Sequence, residues 1–167
     1  MMIRKFVVLG ALAVVAIAAA QSVGVQGAVG RGAARNEDGQ GGHFSFNVKK
    51  VWISNTQSRV TGGFEFKKAT NNPAEAWVIG MREARNYEQN GHVAEFGGPA
   101  KLMRRTATGP VAIEGRLTVR VADNRAPGEG KSEPDGIRFR FVPVNNADVI
   151  EFTGKVVDGD IKVHRRG

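Results

Sequence analysis

Residues 115–141 read GRLTVRVADNRAPGEGKSEPDGIRFRF, two alternating runs around a Gly/Pro-rich connection. Leu117, Val119 and Val121 alternate with Arg116, Thr118 and Arg120, and Ile137, Phe139 and Phe141 alternate with Arg138 and Arg140. Successive side chains of a strand point to opposite faces, so each run reads as a strand with one apolar and one basic face. Pairing the two runs with Val119 opposite Phe139 sets Leu117 against Phe141 and Val121 against Ile137. The same register sets Arg120 across from Arg138 and Thr118 across from Arg140, with Arg116 on that basic face. Like charges directly opposite are destabilising. A glutamate from a third strand, or an anionic ligand, is therefore expected to answer Arg116, Arg120, Arg138 and Arg140.

The connection itself gathers Asp123, Glu129, Glu133 and Asp135. A calcium loop of the EF-hand type places oxygen ligands at alternate positions and glycine at the sixth. Asp123 opens such a register, but Arg125 and Pro127 then occupy ligand positions, so that motif fails. Arg125 and Lys131 also reduce the four carboxylates to a net charge of −2. Asp123 and Asp135 remain the weak candidates for a looser calcium site. The reading favoured here is a long hairpin connection without a cofactor, in which Asp123 accepts a hydrogen bond from the turn backbone.

Outward from this hairpin the same period of two recurs. Phe44, Phe46 and Val48 alternate with polar residues, as do Val60, Gly62, Phe64 and Phe66, and Ile113 leads into the run at Leu117. Turn signals divide the strands at Asn71-Asn72-Pro73, Asn90-Gly91, Gly97-Gly98-Pro99, Gly109-Pro110 and Asp158-Gly159. Asn-Gly and Asp-Gly are the pairs that type I′ hairpin turns favour. Residues 73–91, PAEAWVIGMREARNYEQNG, carry good helix formers, but Trp77, Val78, Ile79 and Met81 crowd two helical faces. A strand over 76–81 followed by a hairpin turning at Asn90-Gly91 fits better. Many short strands at this spacing describe an all-β chain, a single antiparallel β-sandwich or barrel-like domain spanning 43–167.

The N-terminus has its own logic. Arg4 and Lys5 precede an apolar run from Phe6 to Ala20 that ends in Ala18-Ala19-Ala20. This is the order of a secretory signal peptide, assigned to residues 1–20. The run is shorter than the roughly 20 residues a membrane helix needs, so no transmembrane span is expected in the mature chain. Residues 21–42 carry seven glycines and no apolar periodicity, and read as a flexible segment. The mature chain of 147 residues is long enough for one core, and the absence of cysteine means that no disulfide supports it. Its formal charge falls from +8 to +6 on cleavage. Export to the periplasm or the extracellular space, and an anionic polymer or envelope component as partner, follow as expectations. One tyrosine and two tryptophans supply few stacking platforms, so sequence-specific nucleic-acid binding is not expected.

The motifs GGFEF, GHVAEFGGPAKL, GRLTVRVADNRAPGEG, PDGIRFRF and GDIKVH follow one another in this order. In that order they resemble the post-COAP domain, an exported bacterial β-domain, over roughly residues 43–164. The chain departs from the pattern by a longer span after Pro127 and by Asp160 where asparagine is usual. The resemblance implies an exported all-β domain and supplies no activity.

Catalytic signals are sparse. His43, His92 and His164 show no metal-ligand spacing, HVAE at 92–95 lacks the second histidine of a zincin, and neither G-x-S-x-G nor cysteine is present. Glu65, Glu95, Glu114 and Glu151 fall on different strands, and spacing alone brings no two together. The expected function is therefore that of a non-catalytic exported domain whose basic strand face meets an anionic partner. The alternative is a small envelope hydrolase working through paired carboxylates.

Overall fold

A computed structural model describes residues 24–125, 133–145 and 147–164. The signal peptide expected at 1–20 lies outside them. Nine strands run β1 (Gly24–Arg35), β2 (Gly41–Trp52), β3 (Ser58–Ala69), β4 (Trp77–Met81), β5 (Asn86–Asn90), β6 (Val93–Thr106), β7 (Gly109–Ala122), β8 (Gly136–Pro143) and β9 (Ile150–His164). They form one antiparallel sheet ordered β4-β3-β2-β1-β9-β8-β7-β6-β5, and a further β4–β6 pairing closes it on itself. Of the two all-β architectures expected, the chain adopts the barrel.

β4 and β5 both pair with one edge of β6, Gly80 opposite Lys101 and Asn86 opposite Gly97, while the other edge of β6 belongs to β7. They are therefore two halves of a single stave, interrupted at residues 82–85. The strand reading of 73–91 holds, with a short 3-10 turn (Pro73–Glu75) before β4 and the β5–β6 hairpin turning at Asn90-Gly91. The interruption also explains Gly97-Gly98-Pro99, a turn signal that proves to lie inside β6. Arg85 N–H donates to the Gly97 carbonyl, so residues 97 and 99 turn their backbone polar groups toward the gap. Pro99 lacks an N–H where no partner strand needs one.

A closed barrel of this strand number is just wide enough for side chains to fill. Phe44, Phe46, Phe64, Phe66, Phe96, Phe139 and Phe141 all point inward and are buried. Phe139 sits among Phe66, Phe152, Phe64 and Trp77, with ring centroids 4.8, 5.4, 5.9 and 6.4 Å away. Aromatic pairs at such separations add about 0.5–1.5 kcal/mol each beyond the area they bury.

The segment expected to be flexible is corrected here: residues 24–35 of it form β1, a central strand between β2 and β9. Its small residues make room for the large ones beside it. A Cβ on Gly30 would lie 2.6 Å from two ring carbons of Phe46, so a side chain there would displace the phenyl from the core. The Asp158-Gly159 turn is also corrected. Both residues lie within β9, where the β1 register shifts between Ala33 and Ala34. The shift leaves Val157 as the extra residue, while Gly159, at φ +90 and paired with Gly32, has its Cα face against the Arg31 carbonyl, where any Cβ would clash.

Candidate functional site

β7 and β8 pair in the expected register: Leu117 with Phe141, Thr118 with Arg140, Val119 with Phe139, Arg120 with Arg138 and Val121 with Ile137. The apolar members are buried and the basic ones exposed. Arg116 lies one step further along β7, opposite Val142 on one side and Pro99 on the other. The sheet brings all four arginines onto one outward face.

Neighbouring strands supply the glutamates that the opposed charges require. Arg120 faces Glu95 of β6 at 4.0 Å, and Arg140 Nε donates to Glu151 Oε1 of β9 at 2.8 Å. All four of these side chains are about half exposed, so each pair contributes about 0.2–1 kcal/mol at most. Arg138 faces Thr153 on its β9 side. Among the described residues neither Arg138 nor Arg116 has a carboxylate within ion-pair distance. Sequence reasoning named Glu95 and Glu151 without being able to place them, because their position depends on which strands flank the hairpin.

At the end of the same hairpin, Asp123 and Asp135 occupy a different environment. Asp135 is fully buried and Asp123 nearly so. Asp135 Oδ1 accepts from Asn124 N–H and Oδ2 from Ile161 N–H, both at 3.0 Å. Asp123 Oδ2 accepts from Val163 N–H at 3.1 Å. The reason lies in strand length. β8 begins at Gly136 and pairs with β9 only as far as Lys155, with the Asp135 carbonyl taking the N–H of Val156. Beyond that point β9 continues alongside β1, and its other edge would carry buried, unanswered N–H groups at Ile161 and Val163. The two carboxylates extend the ladder where the strand has ended. The partner of Asp123 is thus a strand 40 residues away rather than the local turn backbone that was expected.

Burial is the main cause that pushes the Asp135 carboxyl above the usual carboxylate range; the Ile161 N–H and the Arg125 charge oppose it, and Asp123 and Asp160 reinforce it. Both Asp135 oxygens already receive backbone donors, which also repel a cation approaching from the same side. Glu129 lies outside the described residues, and Glu133 is exposed. Among the described residues no group of three or more histidine, aspartate or glutamate side chains gathers as a metal site.

A surface groove of about 280 Å³ opens where β4 begins, lined by the 3-10 turn and the adjoining parts of β3, β6 and β7. Its lining holds Trp77, Val78 and Met103 with Lys67, Arg104 and Arg105, and no carboxylate. No sequence signal marked it, because its residues come from four separate segments. Comparison with protein-family models, with curated proteins and with solved structures yields no match.

Proposed function

We propose that this chain is an exported, non-catalytic β-barrel that holds an anionic polymer of the envelope or extracellular space against the outward face of β7 and β8. The observation that carries this reading is the four-arginine block with, among the described residues, only two glutamate partners. Adjacent strands lie roughly 4.8 Å apart, so guanidinium groups on β7 and β8 can converge on one polyanion. The planar fork of arginine grips carboxylate, sulfate or phosphate groups in pairs. Arg116 and Arg138 provide the attraction, while Arg120 and Arg140, steadied by Glu95 and Glu151, frame it. Export rests on the N-terminal pattern of Arg4, Lys5 and the apolar run to Ala20, and on the resemblance to the post-COAP domain. The hydrolase alternative requires two carboxylates facing one concavity; the groove at β4 has none in its lining.

Heparin, as a model polyanion, tests the reading against dextran, a neutral polymer of similar build. The mature protein should bind heparin with an affinity that falls steeply as salt rises, and should ignore dextran. Equal binding to both, or no binding to heparin at low salt, would remove the arginine face from consideration.

A further inference from the structure

The groove at the start of β4 has a composition that the polymer reading does not use. Lys67, Val78 and Met103 stand in one outward row, paired across β3, β4 and β6. Met103 is 44 % exposed, a large apolar side chain presented to solvent at the β6 end of that row. Trp77, paired with Arg104, borders the groove while its partly buried indole packs inward on Phe66 and Phe139, with ring centroids 5.7 and 6.4 Å away. Pro73 and Ala76 from the 3-10 turn and Pro110 from β7 complete an apolar floor.

The rim is cationic. Lys67, Arg104 and Arg105 are exposed and line the groove. Among the described residues none of the three has a carboxylate within ion-pair distance. The nearest acid in the chain's own turn, Glu75, is already engaged: it accepts from Asn72 Nδ2 at 2.9 Å and lies 3.9 Å from Lys68. An apolar floor under a one-signed, unanswered rim complements a ligand with an apolar body and an anionic head. Small-molecule pockets span roughly 300–1,000 Å³, so a groove of about 280 Å³ suits a short chain.

We infer that this groove binds a medium-chain fatty-acyl carboxylate as a monomeric ligand. The acyl chain lies on Val78 and Met103 between the 3-10 turn and Pro110, with Trp77 beneath them, and the carboxylate meets Arg105 and Lys67 with Arg104 at the rim. This site is separate from the β7–β8 arginine face and does not depend on it.

Trp77 reports on its own groove. In a Trp52→Phe background it is the only tryptophan, and its emission can be followed during titration with decanoate below the micellar range. A saturable change is expected, with decanol and acetate both giving at least tenfold weaker response. Arg104→Ala with Arg105→Ala should weaken decanoate about tenfold or more, the cost of losing charge-assisted bonds. Met103→Lys should weaken it by disrupting the floor, and Arg116→Ala with Arg138→Ala should leave it unchanged. Failure of heparin binding would not touch this result, nor the reverse. The inference fails if decanol matches decanoate, if the arginine variant binds as before, or if emission responds only to vesicles of anionic phospholipid, which would make the groove a membrane contact.

Discussion

The β7–β8 hairpin carries two sets of charges that lead opposite lives. At its connection, Asp123 and Asp135 are buried, and backbone N–H groups of β9 and of Asn124 answer them. Along its strands, Arg116, Arg120, Arg138 and Arg140 are exposed, and among the described residues glutamates answer only two of them. A buried charge survives because the fold supplies its partners, and it then belongs to the fold. An exposed charge without a partner has no such employment. The carboxylates, weak candidates for a metal site, complete the ladder of β9, and the arginines form the face on which the proposed partner would bind.

This contrast is easiest to break at Asp135. Replacing it by alanine removes the acceptor from two N–H groups, one of them fully buried, at roughly 1–3 kcal/mol for each. Chemical denaturation should show a loss of that order for Asp135→Ala. Asp135→Asn should lose less, because its amide keeps one acceptor oxygen but turns an NH₂ toward the other donor. Calcium at millimolar concentration should leave the melting temperature of the wild type unchanged. If calcium stabilises the wild type and not Asp135→Asn, the carboxylates hold a metal and the contrast collapses.

A smaller effect sharpens the same point through pH. The folded-state pKa of Asp135 is raised, so between the unfolded and folded values the folded chain holds the extra proton. Stability contributed by this group is full below the unfolded value and is lost as pH rises through the folded one. The stability of wild type minus that of Asp135→Asn should therefore decline with rising pH across the mildly acidic range. A difference that grows with pH would mean that the carboxylate is stabilised in its charged form, and that burial does not dominate its environment.

Much of the fold was legible because alternation is a local signal with a non-local consequence. Leu117, Val119 and Val121 could face Ile137, Phe139 and Phe141 in only one register that also buries every apolar member, and that register is the one found. β1 was not legible, since a glycine-rich strand has no pattern of its own; Gly30 is explained by Phe46 on the neighbouring strand. Asn90-Gly91 and Asp158-Gly159 look alike as dipeptides, yet the first turns a hairpin and the second stays paired within β9 beside a bulge at Val157. What separates them is pairing with β1, which no dipeptide encodes. The arginine face was legible as a row of residues, but Glu95 and Glu151 were assigned to it only by strand order. The role of Asp123 depended on Val163, and the groove on four segments at once, so neither could be read in sequence.

The most direct measurement compares two double variants for heparin affinity and unfolding midpoint. Arg116→Ala with Arg138→Ala removes the arginines that lack carboxylate partners among the described residues, while Arg120→Ala with Arg140→Ala removes the paired ones. The first variant should lose heparin binding at physiological salt and keep or slightly raise its midpoint, because the Arg120–Arg138 opposition is relieved. The second should retain measurable binding. If the first variant binds heparin as the wild type does, or loses binding only because it unfolds, the arginine face serves the barrel and not a partner.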